Sequence, residues 1–168
     1  MKQSSDITNF TNDELEIKCT EYLRGTGYHN RISQEKPKVT VLGGLAGSGK
    51  SYYLATLKDT YAIIGDDYRL KYPRFNQIKE LYGDEWVLKT NEFSAAMINK
   101  IADQALKDKK NVVIEGTFRT YEAPANTLKK FKEAGYETHA HVVLCHKAIA
   151  KARTMERYKK NEGIRFSC

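Results

Sequence analysis

Eight consecutive residues have the types and spacing to hold a phosphate chain. Gly44-Leu45-Ala46-Gly47-Ser48-Gly49-Lys50-Ser51 matches G-x-x-x-x-G-K-[ST] at every fixed position. The context is also the one this loop needs, because the β-branched run Lys38–Leu42 precedes it and a helical stretch, Lys50–Leu57, follows. Glycines at these places let backbone amides turn inward as an anion nest at a helix N-terminus. Lys50 would reach the β- and γ-phosphates, and the Ser51 hydroxyl would take a magnesium ion. The expected ligand is therefore ATP or GTP with Mg2+; the rival is a glycine-rich turn with an incidental lysine. No NKxD motif marks a GTPase. The third apolar run, Val112-Val-Ile-Glu115-Gly116, lacks the acidic pair of an AAA or helicase engine. A small domain with this loop points to transfer of a phosphoryl group to a hydroxyl.

Such a transfer benefits from a carboxylate that orients and deprotonates the acceptor. Asp66 and Asp67 end the second apolar run, Tyr61–Gly65. Side chains alternate along a strand, so one of the two is expected to face the phosphate. Both also read as turn formers, for which aspartate is favoured. Glu115-Gly116-Thr117-Phe118-Arg119 follows the third run. There a glutamate can accept hydrogen bonds from sugar hydroxyls, a threonine can share them, and an arginine can grip a phosphate bidentately. A plain strand end with a surface arginine has the same composition.

The elements that must carry these residues alternate in type. Thr11-Asn-Asp-Glu14 is a capping box, with Phe10 and Leu15 placed for a hydrophobic staple. Leu15, Cys19, Tyr22 and Leu23 then form a helical stripe. Residues 25–37 read as a connection. Strands are expected at Lys38–Leu42, Tyr61–Gly65, Asn111–Glu115 and Thr138–Cys145, and helices at Lys50–Leu57, 91–107, 122–134 and about 147–160. This alternation predicts an α/β chain: a P-loop NTPase/kinase-like three-layer fold, with a mostly parallel sheet and helices on both faces. Ligands of such sheets sit beyond the C-terminal strand ends, which puts residues 43–51, Asp66-Asp67 and 115–119 on one rim. A single P-loop kinase domain is expected over 1–168: an N-terminal helix and connection (1–37), a core (38–145) and a basic lid segment (146–168).

The chain has 168 residues and a net charge of +7, with 40% hydrophobic and 29% charged residues. This is the composition of one globular domain. Residues 147–168 hold seven basic against two acidic side chains and so carry +5 of that charge. A basic C-terminal end, unlike a basic stripe along a groove, argues for a polyphosphate ligand and against nucleic acid. Arg153 and Arg157 are one helical turn apart and could face the transferred phosphate; a solvated helix face is the alternative. The start MKQSSDITNF has no apolar core of a signal sequence, and no run is long enough to span a bilayer. Cys19, Cys145 and Cys168 form no close pair, so the expectation is a reducing cytoplasm without disulfides. His139 and His141 share a strand face near Cys145 and His146, but packing is favoured over a metal site.

Gly43–Ser51, Ile64-Gly-Asp-Asp-Tyr-Arg-Leu-Lys-Tyr-Pro-Arg-Phe75 and Ile114-Glu-Gly-Thr-Phe-Arg-Thr120 together resemble the zeta toxins of bacterial epsilon/zeta toxin–antitoxin systems. The spacing from Asp66 through Arg69 to Pro73 and Phe75 agrees, as does the EGT-x-R-T loop. The resemblance covers about residues 7–165. It implies a kinase that uses ATP or GTP to phosphorylate the 3′-hydroxyl of the sugar in UDP-N-acetylglucosamine, so that the product poisons peptidoglycan synthesis. It also implies a bacterial cytoplasmic setting and a small helical epsilon-type antitoxin that blocks the nucleotide site. By position, Asp66 matches the general base and Asp67 a variable position. Lys50 and Ser51 match the phosphate and magnesium ligands, and Glu115, Thr117 and Arg119 the sugar-nucleotide contacts. Arg157 matches a lid arginine; Arg165 is the candidate for a second, at a shorter spacing than the family's. Family members usually continue for some tens of residues past this point, where three residues follow here. Two alternatives stay beside this reading: a truncated, non-catalytic remnant that binds ATP and antitoxin, and a P-loop kinase of another small hydroxyl substrate.

Overall fold

The computed structural model describes residues 6–116 and 120–160. Thr117, Arg119 and Arg165 lie outside them. In chain order the elements are α1 (Asn12–Gly25), β1 (Lys38–Gly43), α2 (Lys50–Thr56), β2 (Tyr61–Ile64), α3 (Gly65–Arg69), α4 (Phe75–Tyr82), α5 (Trp86–Lys89), α6 (Asn91–Lys107), β3 (Val112–Glu115), α7 (Glu122–Glu133), β4 (Glu137–Val142) and α8 (Lys147–Lys160). The fold is α/β, as the alternation predicts. No helix among the described residues is long and apolar enough to cross a membrane. The chain forms two compact units, one built from residues up to Asn30 with Ile64–Asp103, the other from Arg31–Ile63 with Gln104 onward.

The second unit holds the sheet, in the order β2-β3-β1-β4. β1 pairs in parallel with both β3 and β4. The connection after β1 leads toward β2 and β3, whereas β4 lies on the other side of β1. The C-terminal end of β1 is thus the place where successive connections diverge, which is where parallel α/β sheets open a ligand crevice. Val39, Val41 and Leu42 of β1 and Val112, Val113 and Ile114 of β3 are buried, as a covered parallel strand requires. α7 packs against β1 and β4 through the buried Phe131, whose ring meets Tyr136 edge-on at 4.9 Å. The Tyr136 hydroxyl donates to the Ala105 carbonyl at 2.7 Å, and burial pushes its pKa up to about 12. β4, at the edge of the sheet opposite β2, is mostly exposed. α8 leaves β4 and returns to the loop after β1. A Cβ on Gly47, whose φ is +78°, would collide with the Ala150 carbonyl oxygen and come within 2.8 Å of Thr154 Oγ1.

The first unit is tied together by aromatic rings and one arginine. The Thr11–Glu14 capping box opens α1 as predicted, with each side chain bonded to the other residue's amide. Phe10 meets Phe93 and Tyr72 edge-on at 5.2 and 6.3 Å, and Tyr22 meets Tyr68 at 4.9 Å. Cys19 lies on the buried stripe of α1, its sulfur 3.1 Å from Met97 Sδ; burial pushes its thiol pKa up to about 11, so it packs and does not react. The Arg74 guanidinium donates to the Glu14 carboxylate and to the Ile7 and Asn9 carbonyls. The bonds from Arg74 and from the Thr11 amide to that carboxylate hold the Glu14 pKa below its ordinary value.

Two expectations need correction here. The strand over Tyr61–Gly65 ends at Ile64, and Gly65-Asp66-Asp67 forms the first turn of α3. Alternation therefore does not separate the two aspartates; on a helix they diverge by about 100°. The reason is local, since carboxylates are favoured in a first helical turn. The stretch after Pro73, where the sequence predicts no element, holds α4, a 3-10 turn at Gly83–Glu85 and α5. Phe75, Ile78 and Tyr82 have helical spacing, and Phe75 and Trp86 meet edge-on at 5.1 Å. The helices expected over 91–107 and 147–160 have those bounds, and the other boundaries move by at most three residues.

Two substitutions test this packing. Because the folded-state pKa of Glu14 is lowered, its contribution is present above the unfolded value of 4.5 and is lost as pH falls through the folded one. Glu14→Gln should cost about 1 kcal/mol in urea unfolding at neutral pH, and the gap to wild type should shrink as the carboxylate is protonated in acid. A gap that persists in acid would show that the carboxylate charge is irrelevant. Gly47 and Gly49 both have positive φ, but only at Gly47 would a Cβ meet other atoms. Gly47→Ala should thus cost roughly 2–4 kcal/mol and Gly49→Ala about 1 kcal/mol. Equal losses would mean that α8 does not rest on the loop.

Candidate active site

The site is built from the ends of β1 and β3. Their parallel register sets Leu42 opposite Glu115, and the Gly116 amide donates to the Leu42 carbonyl at 2.9 Å. On the other side of β1, the Val143 amide donates to the Gly43 carbonyl at 2.9 Å. The chain leaves β1 at a fixed point and then turns through Gly44–Gly49. The Ser48 amide closes a tight turn on the Leu45 carbonyl at 3.0 Å. Gly49 caps α2 with φ 105° and ψ 16°, a left-handed conformation that glycine adopts without a Cβ penalty.

Lys50 is the first residue of α2 and is 7% exposed. Its ammonium donates to the carbonyls of Gly44 at 2.9 Å and Leu45 at 3.0 Å. Its third neighbour is the Glu115 carboxylate, with Nζ 3.4 Å from Oε1. An ammonium has three protons, and three oxygens surround this one. Without such partners a buried ammonium would cost several kcal/mol.

The loop fits a polyphosphate on three observations. The Ser48 hydroxyl is buried with no hydrogen-bond partner among the described residues. Lys50, the cation of the loop, can exchange one of its three oxygen partners for a phosphate oxygen. Gly49 leaves open space where a side chain would stand. Ser51 is exposed in the first turn of α2, where its hydroxyl could serve as a magnesium ligand. Leu45, at the loop tip, is 53% exposed.

Arg157 is exposed on α8. Ala150 and Thr154, the two residues that approach Gly47, precede it by seven and three positions. Arg157 therefore continues the helical stripe that faces the phosphate loop. Arg153 donates from Nη1 to the Cys145 sulfur at 3.9 Å. This contact between α8 and the loop is invisible in the sequence; the small residue Ala150, seven before Arg157, is its only trace.

Asp66 stands in the first turn of α3, in the other unit. Arg69, one turn on, donates from Nε to Asp66 Oδ1 at 3.2 Å. Nη1 of Arg69 reaches the Val87 carbonyl at 2.7 Å and Asn91 Oδ1 at 2.6 Å. The arginine thus fixes the aspartate against the chain around α5 and α6, a role that the Asp66-x-x-Arg69 spacing could have signalled. Ser94 Oγ donates to the Gly65 carbonyl at 2.7 Å and steadies the same turn. The histidines of β4 are engaged elsewhere: His139 with Glu137 at 2.9 Å, and His141 stacked on Tyr53 at 4.0 Å. Among the described residues no group of three or more His, Cys, Asp or Glu is placed to hold a metal.

The zeta toxin family model matches residues 24–166. The chain is 29% identical to Toxin zeta of Streptococcus pyogenes, covering 92% of this chain and 55% of that protein. It is 25% identical to Toxin PezT of Streptococcus pneumoniae, covering 92% and 63%. It thus spans little more than half the length of the curated relatives it matches. A solved structure from the PezAT chromosomal toxin–antitoxin system of Streptococcus pneumoniae superimposes with a TM-score of 0.85 at 25% identity, over 94% of this chain and 69% of that one. The similarity runs through the phosphate loop, the α3 turn and the end of β3, and on it the chain belongs to the zeta toxin family.

Proposed function

We propose that this chain carries the phosphotransferase of a zeta-type toxin, moving the γ-phosphoryl group of ATP or GTP to the 3′-hydroxyl of the sugar of UDP-N-acetylglucosamine. The observation that supports the transfer most is the complete phosphate loop with Lys50 buried and fully coordinated beside an orphaned Ser48 hydroxyl. The acceptor and the toxic outcome rest on family membership. So does the partner, a small helical antitoxin, since the similar Streptococcus pneumoniae structure comes from a toxin–antitoxin system.

In this reading Asp66 accepts the proton of the acceptor hydroxyl as its oxygen attacks the γ-phosphorus. The bond from that phosphorus to the β–γ bridging oxygen breaks, and the nucleoside diphosphate leaves with the electron pair. Arg69 keeps the Asp66 carboxylate from rotating away. Lys50 draws charge from the β- and γ-phosphates, and Arg157 stabilises the charge spread over the transferring group. Ser51 would hold magnesium, which when bound neutralises phosphate charge. Glu115, with Thr117 and Arg119, would receive the sugar nucleotide. Arg165 is the candidate for a second arginine over the phosphate.

Mass spectrometry of UDP-N-acetylglucosamine incubated with the chain and Mg·ATP should show a species heavier by one phosphate. Asp66→Asn should lower the rate about 100-fold or more while leaving nucleotide binding intact, and Asp67→Asn should change it little. Nucleotide binding without any transfer would sink the kinase reading and leave a nucleotide-binding module. A dead Asp67→Asn with an active Asp66→Asn would move the base to Asp67.

A further inference from the structure

Arg69 engages one oxygen of Asp66, and a third residue decides how firmly it does so. We infer that Asn91, the first residue of α6, is a positioning residue for the base: it locks the plane of the Arg69 guanidinium, so that Oδ1 of Asp66 stays bonded and Oδ2 is kept for the acceptor. This rests on the kinase reading, in which Asp66 takes the acceptor proton.

A guanidinium is planar, and its N–H groups point in fixed directions within that plane. Nε of Arg69 donates to Asp66 Oδ1 at 3.2 Å. Nη1 donates to the Val87 carbonyl at 2.7 Å and to Asn91 Oδ1 at 2.6 Å. Nη1 carries two protons, and each has its own acceptor. The two shorter bonds therefore set the plane, and the longer bond to Asp66 follows the direction they impose. The Val87 carbonyl is itself held, because the fully buried Thr90 donates to it from Oγ1 at 3.2 Å. Among the described residues, Asn91 is the one side chain that accepts from Nη1. With the carbonyl alone the guanidinium could swing about a single contact; with Asn91 it cannot.

The consequence falls on the base. The Asp66 side chain is 37% exposed, against 16% for Arg69, so the carboxylate can meet an acceptor while the arginine is shielded. A carboxylate turns readily about its last torsion. A swinging guanidinium would be met by either oxygen in turn, and Oδ2 would be drawn away from the acceptor. Small misplacements of this kind are costly to proton transfer. The backbone under Asp66 does not depend on Asn91, since Ser94 Oγ holds the Gly65 carbonyl at 2.7 Å. Asn91 thus acts on the direction of two side chains and not on the turn that carries them.

The test uses the full chain with Mg·ATP and UDP-N-acetylglucosamine in steady-state kinetics. Asn91 is exposed, so Asn91→Leu keeps its bulk and removes only the acceptor oxygen, whereas Asn91→Asp keeps an oxygen at the same reach. Asn91→Leu should lower kcat about tenfold with little change in either KM, and Asn91→Asp should recover most of that loss. In an Arg69→Lys background, which has no planar fork, Asn91→Leu should cost nothing further. Wild-type kcat in Asn91→Leu, equal losses in Asn91→Leu and Asn91→Asp, or a loss repeated in full beside Arg69→Lys would each overturn the inference. A second readout needs no turnover: the NMR signal of the Arg69 Nε–H, assigned by its loss in Arg69→Lys. Its exchange with water should be about tenfold faster in Asn91→Leu than in wild type or Asn91→Asp, and equal exchange in all three would overturn the inference. Nucleotide binding without transfer by the wild-type chain would instead remove the kinase reading, and the exchange rates would still decide whether Asn91 holds Arg69.

Discussion

A buried ammonium organises the sheet-bearing unit. Lys50 is sealed in at the start of α2, and its charge is tolerable only because three oxygens converge on it. Two of those oxygens are backbone carbonyls, so the loop must turn them inward, and that turn in part sets the loop's path. The third comes from the neighbouring strand. It arrives because β1 and β3 run parallel in a register that places Glu115 beside Leu42. A slip of one residue would send Glu115 to the other face of the sheet and leave the lysine short of a partner. The chemistry of one side chain and the pairing of two strands are thus a single constraint.

The same loop sets the place of α8. Gly47 offers no side chain, and the backbone of α8 at Ala150 comes so close that none would fit. The helix that carries most of the chain's excess positive charge is therefore seated on the phosphate loop at Ala150 and Thr154, with Arg157 exposed beyond them. The first unit solves a different problem, which is to hold one carboxylate still. Arg69 spends all its visible hydrogen bonds on Asp66 and on two acceptors around α5 and α6, and the aromatic cluster of Phe10, Tyr72 and Phe93 gives that framework its bulk.

Much of this was legible in the sequence where the constraint is local. The glycines, lysine and serine of residues 44–51 are needed one by one, so the motif declared the loop. Thr11 and Glu14 cap α1 by themselves, and the apolar runs of β2 and β3 need no partner to be recognised. What stayed hidden depends on partners distant in the chain. Glu115 reads as a sugar contact until the β1–β3 register shows it on Lys50. Asp66 and Asp67 looked like the end of a strand because the run before them is β-branched, yet the turn that follows is helical and bound by Arg69. The exposure of β4 is not revealed by its alternating apolar residues. The helices over residues 75–89 were missed although Phe75, Ile78 and Tyr82 have the spacing, because the polar residues between them dilute the pattern.

A phosphate nest is held ready around Lys50. The most direct measurement is to follow the backbone amide signals of the chain by NMR as inorganic triphosphate is added. Progressive, saturating shifts are expected at Gly47, Gly49, Lys50 and Ser51. Saturating shifts elsewhere with these four amides unmoved would contradict a nest at this loop.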